Sequence, residues 1–370
     1  MATRPANPNG PPRMSPSRPV YIRQTGHVSA LGLCAAEAAA ALLAGKRNIS
    51  QRNLLGTSYP WFALPLAEQD WTERARRALA LLAAELAAET SPGELAHLPL
   101  FVGTSTHATG AIEAAAQAAG IINNFFDNEY AIFIEELNLA FHRTNNPEPP
   151  YLFATACTSG IAALEAAFTL IAQGDMDEAL VLGIEFASNT SLAGFASLGL
   201  IADSENGEGF VLGEAAAGLW LTSRPGPGWR IAACRLCIDG YAPTLPTPDG
   251  QIIAANINAA LKDAGLAASD IGFIKPHLCG LPGTDEAEEA ALSLVFEPPR
   301  PPAAYFKRQI GHTLGACGPA ELTALLALLD SPAGQARYGT VQRLLFSLAG
   351  FGGSMAALIA ERSFNAGEPA

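Results

Sequence analysis

The chain has 370 residues, enough for two or three domains or for one large unit with two lobes. Hydrophobic residues make up 49% of it and charged residues only 15%, a composition that fills a large core and excludes a chain disordered along its length. The formal net charge of −13 argues against phosphate-neutralising contacts with nucleic acid and against polybasic attachment to a membrane.

The N-terminal segment 1–18 is rich in proline and has no apolar stretch like that of a signal peptide. We expect it to be a disordered tail, and we expect a second, short tail over 363–370. The apolar run 344–360 is shorter than the roughly 20 residues of a membrane span and is interrupted by glycines, so we expect no membrane span. Six scattered cysteines without an export signal predict reduced thiols and a cytoplasmic location.

Strand and helix patterns alternate along the chain, which indicates an α/β architecture. Strands are predicted over 21–33, 98–103, 151–156, 179–185, 209–221, 230–239, 271–276, 303–306, 344–347 and 354–359. Helices are predicted over 35–43, 72–89, 125–143, 159–173, 250–264, 285–296 and 320–329. A seam near 225–228 divides the chain into an N-terminal half, 19–224, and a C-terminal half, 225–362. Several polar side chains follow strand ends, where open α/β sheets bind ligands.

Cys157 lies between a predicted buried strand and the first turn of an apolar helix. The N-terminus of a helix favours a thiolate over a thiol and so makes a better nucleophile. A lone cysteine is more often a packed core residue. Here the neighbours Ala156, Ser159 and Gly160 are small, as they would be where a substrate approaches.

Three further segments at predicted strand ends are of interest. His277 follows the strand 271–276, and Lys307 and His312 stand between the strand 303–306 and the next helix. The segment 350–354 is a glycine hairpin in which the backbone can approach a ligand closely. Each of these signals alone is weak.

Together, however, these segments resemble the β-ketoacyl synthases, the condensing enzymes of fatty-acid and polyketide synthesis. The similar motifs, in the order expected for that family, are VSALGLCAAEAAAALLAGK at 28–46, ATACTSG at 154–160, GFVLGEAAAGLWL at 209–221, KPHLCGLPGTD at 275–285, KRQIGHTLGACG at 307–318 and GFGGS at 350–354. The resemblance extends from about residue 20 to 362. It implies a thiolase-like fold, with two pseudo-symmetric halves stacked as α-β-α-β-α layers.

The resemblance also implies roles for individual residues. Cys157 matches the nucleophile that accepts the acyl chain, and His277 and His312 match the two histidines that act on the extender unit. Lys307 matches the lysine five residues before the second histidine. Glu321 matches the acid that pairs with that histidine.

Further matches concern the walls of the site. The backbone N–H groups of Cys157 and Phe351 would form an oxyanion hole, and Phe351 matches the phenylalanine that gates the site. Cys279, Ser354 and Phe195 would contact the substrate or the pantetheine arm.

The resemblance implies decarboxylative Claisen condensation of an acyl primer with malonyl-acyl carrier protein, in fatty-acid or polyketide-type, including polyene, biosynthesis. Neither a metal nor a resident cofactor is expected, since phosphopantetheine arrives on the carrier protein. The implied partners are acyl carrier protein and a second ketosynthase subunit, in a homodimer or a heterodimer. Two other functions stay open: a chain-length-factor-like partner subunit, and a different acyl transfer on the same fold.

The sequence departs from the family pattern at the first histidine loop. Leu278, Cys279 and Leu281 replace a Gly and two Thr, and Ser354 with Met355 replaces Thr-Asn. These changes predict a less polar pantetheine tunnel.

Two other features have alternative interpretations. Arg74, Arg76 and Arg77 form either a docking patch for an acidic carrier protein or a solvated helix face. Cys234 and Cys237 form a lone Cys-x-x-Cys pair, which we interpret as structural thiols because a zinc site needs four ligands.

Overall fold

The computed structural model describes residues 18–68, 70–119, 126–144, 148–204 and 207–364. The predicted tails lie outside these ranges except for their inner ends. Arg18 belongs to the folded part, since its guanidinium donates to Ile171 O and Met176 O and pairs with Asp177. Ser363 ends the last strand.

The strands in the described part of the chain lie in two sheets. They are β1 (Val20–Ser29), β2 (Ser50–Leu54), β3 (Thr57–Phe62), β4 (Leu100–Gly103), β5 (Tyr151–Phe153), β6 (Glu178–Glu185), β7 (Leu212–Gly213), β8 (Ala215–Thr222), β9 (Gly228–Ile238), β10 (Phe273–Lys275), β11 (Arg343–Gly350) and β12 (Ser354–Ser363). The small sheet has the order β2-β3-β7, and the other nine strands form the large sheet.

Along the sequence, most of the helices lie between strands of the large sheet. They are α1 (Ala35–Leu43), α2 (Trp71–Leu86), α3 (Pro92–Ala96), α4 (Thr109–Ala119), α5 (Phe126–Ala140), α6 (Ser159–Gln173), α7 (Asn189–Ser197), α8 (Gln251–Ala264), α9 (Pro282–Val295), α10 (Lys307–Ile310), α11 (Cys317–Asp330) and α12 (Pro332–Tyr338).

The two halves of the chain repeat one sheet topology. The first half has the order β1-β8-β6-β4-β5, and the second half has β9-β12-β11-β10, extended by a bridge from β10 to Ala303. In each half the first two pairings are antiparallel and the last two are parallel. A short pairing of β1 with β9 joins the halves into one nine-stranded sheet. The predicted seam falls in the loop between β8 and β9.

Three hydrophobic clusters separate five layers. One cluster lies between α2 with α5 and the outer face of the first half-sheet. In the second cluster, α1, α6 and α11 pack between the inner faces of the two half-sheets. A third lies between the second half-sheet and α8 with α9. The predicted α-β-α-β-α architecture of a thiolase-like fold is thereby confirmed.

The middle layer explains the apolar character of its helices. By length and composition, the run Ala156–Gln173 is long and apolar enough to cross a membrane. The helices Leu314–Asp330 and Pro332–Tyr338 would together meet the same criterion, but they are bent by 85° relative to each other. The first run is 61% buried inside the protein. A helix between two sheets needs an apolar surface on nearly every side.

Most predicted elements are present, with shifts of a few residues at their ends. The predicted strand 303–306 is reduced to the bridge at Ala303, since the prolines at 301 and 302 lack the N–H that a strand ladder requires. The β2–β3 hairpin, α3, α4, α7 and α12 were not predicted. These elements are short or half exposed, so their sequences lack a strong apolar periodicity.

α6 and α11 approach each other very closely at their N-terminal ends. A Cβ atom on Gly160 would overlap the ring of Pro319, and one on Gly183 would lie 2.8 Å from Pro319 Cγ. Gly103 is similarly tight against the backbone of Gly160. Only residues without a side chain allow this packing, which places the turn before α6 beside the turn before α11.

We therefore predict that Gly160→Ala lowers the free energy of unfolding by about 1–3 kcal/mol, as overpacking of a dense core does. The matched control is Gly194→Ala, at an exposed helical position with no atom within 4 Å of the added Cβ. It should be neutral or stabilising by up to ~1 kcal/mol. Urea unfolding measures both, and equal stability of the two variants would contradict the close packing.

Candidate active site

Cys157 is presented by a tight turn between β5 and α6. The turn is a 3₁₀ segment, Ala156–Thr158, and Ala156 adopts a left-handed φ of 53°. Ser159 stabilises it: its Oγ donates to Ala156 O at 2.5 Å and accepts from Thr155 N–H at 2.9 Å. Backbone strain of this kind persists where the surroundings enforce it, often at functional sites. The turn points a buried thiol at the start of the helix.

The second half of the chain contains an equivalent turn. Leu314 adopts a left-handed φ of 44° and begins a 3₁₀ segment, Leu314–Ala316, directly before α11. The two turns therefore occupy matching places in the two halves. In the second half, the predicted residue of interest, His312, lies two residues before the turn rather than within it.

Cys157, His277 and His312 line one cavity of about 20 Å³, which is room for roughly one water molecule. The two imidazole rings are 5.7 Å apart and nearly perpendicular. Each of the three residues is buried. The sequence predicted this group of three, and the structure brings all of it together.

The hydrogen-bond partner of His312 fixes its tautomer. Leu314 N–H donates to His312 Nδ1 at 3.1 Å, so the ring hydrogen lies on Nε2. The backbone of His312 is also held: its N–H donates to Val211 O at 2.7 Å, and its carbonyl accepts from Gly213 N–H at 3.1 Å. Nε2 of His312 is therefore a positioned donor.

His277 is held through its backbone and not through its ring. Its N–H donates to Glu288 Oε1 at 2.8 Å, and the same carboxylate accepts from Leu278 N–H and Ser347 Oγ. Within the described part of the chain, its Nδ1 has no hydrogen-bond partner. Burial, followed by the nearby cation of Lys307, keeps the pKa of His277 well below its usual value, so the ring is neutral.

Glu321 was expected to pair with His312, and this expectation is wrong. Its carboxylate accepts from Lys307 Nζ at 2.6 Å and forms a second ion pair with Lys275. The reason is that Leu314 N–H occupies the free nitrogen of His312, which leaves no N–H on that side to meet a carboxylate. Lys307 and Glu321 still lie in one buried cluster behind the histidines.

The glycine loop closes the other side of the cavity. A Cβ on Gly350 would lie 3.3 Å from the backbone nitrogen of Cys157, which shows how near the loop comes to this residue. Phe351 lines the cavity, whereas Phe195 packs behind it, with ring centroids 5.8 Å apart. Ser354 does not line the cavity, since its Oγ is bonded to Thr158 Oγ1 at 2.6 Å.

Cys279 lines the cavity together with Leu281 and Met355, so the altered loop does form an apolar wall. Burial, and then the neighbouring Asp285, raise the pKa of the Cys279 thiol to about 12. The thiol therefore stays protonated and offers no base.

Three residues near the site lie in the motifs or predicted strands, but no role was predicted for them. The ring of Phe210 lies 4.8 Å from His312 and lines the cavity. Glu185 accepts from Ser105 N–H and Gly315 N–H, both at 2.9 Å, and so ties the second turn to the first half. Lys275 is the third. Their positions at strand ends were the available signal, but packing decides which of them face inward.

Among the described residues, no three His, Cys, Asp or Glu side chains are grouped to hold a metal ion. Cys234 and Cys237 are free thiols on β9, and burial raises the pKa of both.

Comparisons with known proteins agree with this geometry. The family model of the beta-ketoacyl synthase N-terminal domain matches residues 142–225, and that of the C-terminal domain matches residues 230–333. The two matches meet at the seam between β8 and β9.

Curated relatives are similar over part of their length. The 3-oxoacyl-[acyl-carrier-protein] synthase 2 of Mycobacterium tuberculosis is 28% identical over 245 residues, 55% of this chain and 59% of the relative. The enzyme of the same name from Coxiella burnetii is 26% identical over 59% of this chain and 63% of its own. The matched region thus spans less than two thirds of these relatives.

Solved structures share the whole fold. A chain from a ketosynthase in complex with its chain length factor, from Xenorhabdus doucetiae, has a TM-score of 0.78 at 22% identity, covering 94% of this chain and 98% of that one. A beta-ketoacyl synthase from Burkholderia phymatum has a TM-score of 0.76 at 22% identity, covering 94% and 100%. Sequence motifs, two adjacent family models and fold agree, and the chain belongs to the β-ketoacyl synthase family.

Proposed function

We propose that the protein catalyses decarboxylative condensation of malonyl-carrier protein with an acyl primer held on Cys157. The observation that supports this most is the shared cavity of Cys157, His277 and His312. One nucleophile and two imidazoles placed to donate hydrogen bonds are the groups that this chemistry needs, and the chemistry needs no metal.

In the first step, the Cys157 thiolate attacks the thioester carbonyl of an acyl-carrier protein. The carbonyl–sulfur bond to the carrier breaks, and the proton of the Cys157 thiol leaves with the phosphopantetheine thiol. The start of α6 stabilises negative charge on sulfur. The N–H groups of Cys157 and Phe351, brought together by the approach of Gly350, would hold the oxyanion.

In the second step, malonyl-carrier protein enters and loses CO₂. The electron pair of the broken carbon–carbon bond forms an enolate, whose oxygen accepts from His312 Nε2–H and from His277. The enolate carbon then attacks the acyl-Cys157 carbonyl. Collapse of that intermediate releases the Cys157 thiolate, which takes up one proton before the next cycle.

The small volume of the cavity requires a movement when substrate binds. Phe351 packs against the rings of Phe195 and Phe210, with centroids 5.8 and 6.5 Å away. Phe351 also stands on the glycine loop, where Gly352 and Gly353 adopt positive φ. We infer that rotation of this ring opens room for the acyl chain.

Acyl carrier protein is the proposed partner. One structural neighbour comes from a complex between an acyl-carrier protein and its ketosynthase. The arginine cluster on α2 gives little support as a docking patch, because Arg74 pairs with Glu214 at 2.6 Å and Arg76 with Glu136 at 2.7 Å. Arg77, the third member of the cluster, is exposed and forms no ion pair among the described residues.

A second subunit is also part of the proposal, as a homodimer or a heterodimer. β5 lies at the edge of the large sheet, and its Tyr151 is 54% exposed. On α5, Tyr130 and Leu139 are half exposed. These apolar surfaces suit an interface better than water. A cytoplasmic location likewise remains a proposal.

Two alternatives are weaker. A chain-length-factor-like role is suggested by the structural neighbours that contain such subunits, but Cys157 and both histidines are in place here. Thiolytic cleavage would need a second cysteine as base, and the candidates are Cys279 and Cys317. Cys279 is excluded from that role by its raised pKa. The pKa of Cys317 is lowered to about 6, but Cys317 does not line the cavity.

We predict that Cys157→Ala takes up no acyl group from an acyl-carrier protein, whereas His277→Ala and His312→Ala become acylated. Each histidine variant should lose CO₂ release by about 10²–10³-fold, because each lacks one donor to the enolate. Intact-protein mass spectrometry measures the first step and CO₂ release the second. Acylated Cys157→Ala, or histidine variants that lose acylation and keep CO₂ release, would overturn the assignment.

The apolar wall of Cys279 and Leu281 predicts weak use of free coenzyme A thioesters. A pantetheine arm that lacks hydroxyl partners loses about 0.5–1.5 kcal/mol for each missing hydrogen bond, so protein docking must supply the affinity. Malonyl-carrier protein should therefore react faster than malonyl-coenzyme A at equal concentration. The double variant Cys279→Thr/Leu281→Thr should reduce the difference between the two rates. Equal rates with malonyl-carrier protein and malonyl-coenzyme A in the wild type would contradict this prediction.

A further inference from the structure

The carbonyl group of Ala156 is held by a hydroxyl that lies outside the turn of Cys157. Within the turn, this carbonyl accepts from the backbone N–H and the Oγ of Ser159. From the loop after β4, Ser105 Oγ donates to the same oxygen at 3.2 Å. The bonds from Ser159 fix the shape of the turn, whereas the bond from Ser105 fixes the place of the turn relative to the rest of the protein.

Ser105 is itself held by Glu185, the last residue of β6, whose side chain is 2% exposed. Oε2 of Glu185 accepts from Ser105 N–H and from Gly315 N–H, each at 2.9 Å, and Oε1 accepts from Thr106 Oγ1. A buried carboxylate costs free energy unless hydrogen-bond donors compensate it, and these three donors do so. One side chain thus joins the loop after β4 to the turn before α11.

The backbones of that loop and that turn are also in direct contact. A Cβ atom on Gly315 would lie 2.6 Å from both the nitrogen of Ser105 and the carbonyl carbon of Thr104. The contact does not depend on the carboxylate of Glu185, and it has the same consequence. Ser105 has a fixed position relative to the turn that follows His312.

The position of the Ala156 oxygen determines where the N–H of Cys157 points. Both groups belong to one trans peptide unit, in which the C=O and the N–H lie in one plane and point in opposite directions. A donor that holds the carbonyl therefore also holds the N–H. The glycine loop comes close to this nitrogen, since a Cβ on Gly350 would lie 3.3 Å from it.

We propose, on the basis of the proposed function, that Ser105 and Glu185 are positioning residues for the oxyanion hole. Glu185 holds Ser105, and the Ser105 hydroxyl holds the Ala156–Cys157 peptide so that its N–H meets the developing oxyanion. The residues that line the cavity include neither Ser105 nor Glu185, so both act through Cys157. A donor stabilises the transition state only when it is aimed at the atom on which charge develops.

The first test is Ser105→Ala, which removes the hydroxyl and no substrate contact. At saturating acyl-carrier protein, Cys157 should become acylated about tenfold more slowly, a part of the 10²–10³-fold that loss of an oxyanion donor costs. The concentration that gives half the maximal rate should not change. Once the variant is fully acylated, its CO₂ release from malonyl-carrier protein should match wild type, because the donors of His277 and His312 are unaltered.

Ser363→Ala is the matched control. It removes a serine hydroxyl that donates to a carbonyl oxygen, Gly226 O at 2.8 Å, in the loop between β8 and β9. Its acylation rate should equal that of the wild type. Rapid quenching followed by intact-protein mass spectrometry measures acylation in both variants.

Two variants of Glu185 test the other half of the proposal. Glu185→Gln keeps an oxygen for the two N–H groups, and its amide can donate to Thr106 Oγ1, so acylation should stay near the wild-type rate. Glu185→Leu removes both acceptors and should slow acylation at least as much as Ser105→Ala. The double variant Ser105→Ala/Glu185→Leu should be no slower than Glu185→Leu, because both residues act on one peptide.

Wild-type acylation by Ser105→Ala, whatever its stability, would overturn the proposal. A loss of acylation and CO₂ release by the same factor would do so too, since it indicates general damage to the fold. Losses that multiply in the double variant, or a Glu185→Gln protein as slow as Glu185→Leu, would also contradict it. If Glu185→Leu does not fold, Ser105→Ala and Glu185→Gln decide. A wild-type protein that takes up no acyl group would instead contradict the proposed function.

Discussion

The close contact between the N-terminal ends of α6 and α11 determines where the reactive groups lie. Gly160 and Gly183 leave room for Pro319, and the two helices can then share one layer between the half-sheets. Because each helix follows a strained turn, the contact brings both turns to one place. Cys157 of the first half thereby meets the histidines of the second half, although Cys157 and His277 are 120 positions apart in the sequence.

The two turns have similar backbone conformations but different roles. The first presents a thiol at the start of α6. The second supplies Leu314 N–H, which fixes the tautomer of His312, and Gly315 N–H, which binds Glu185. A repeated architecture offers a similar geometry twice. The side chains decide that one copy presents the thiol of Cys157 and that the other holds the ring of His312.

The sequence predicted the architecture and the three central residues because strand–helix alternation and short motifs are local signals. It did not predict the partner of Glu321, since that choice depends on a hydrogen bond from Leu314 and on where Lys275 lies after folding. Ser354 was expected to meet substrate, but its hydroxyl faces Thr158, a contact between residues 196 positions apart. The small sheet was missed because its strands are short and half exposed. Local patterns identify reactive residues, whereas long-range packing decides which atoms they meet.

The central claim is that one cavity joins acyl transfer, decarboxylation and carbon–carbon bond formation. The most direct measurement supplies the wild-type protein with an acyl-carrier protein and malonyl-carrier protein labelled at the CH₂ carbon, and determines the mass of the carrier-bound products together with CO₂. The account predicts a β-ketoacyl chain longer by one labelled two-carbon unit, with one CO₂ released for each chain extended. Acyl transfer to Cys157 without any labelled extension, with both carrier proteins present, would contradict it.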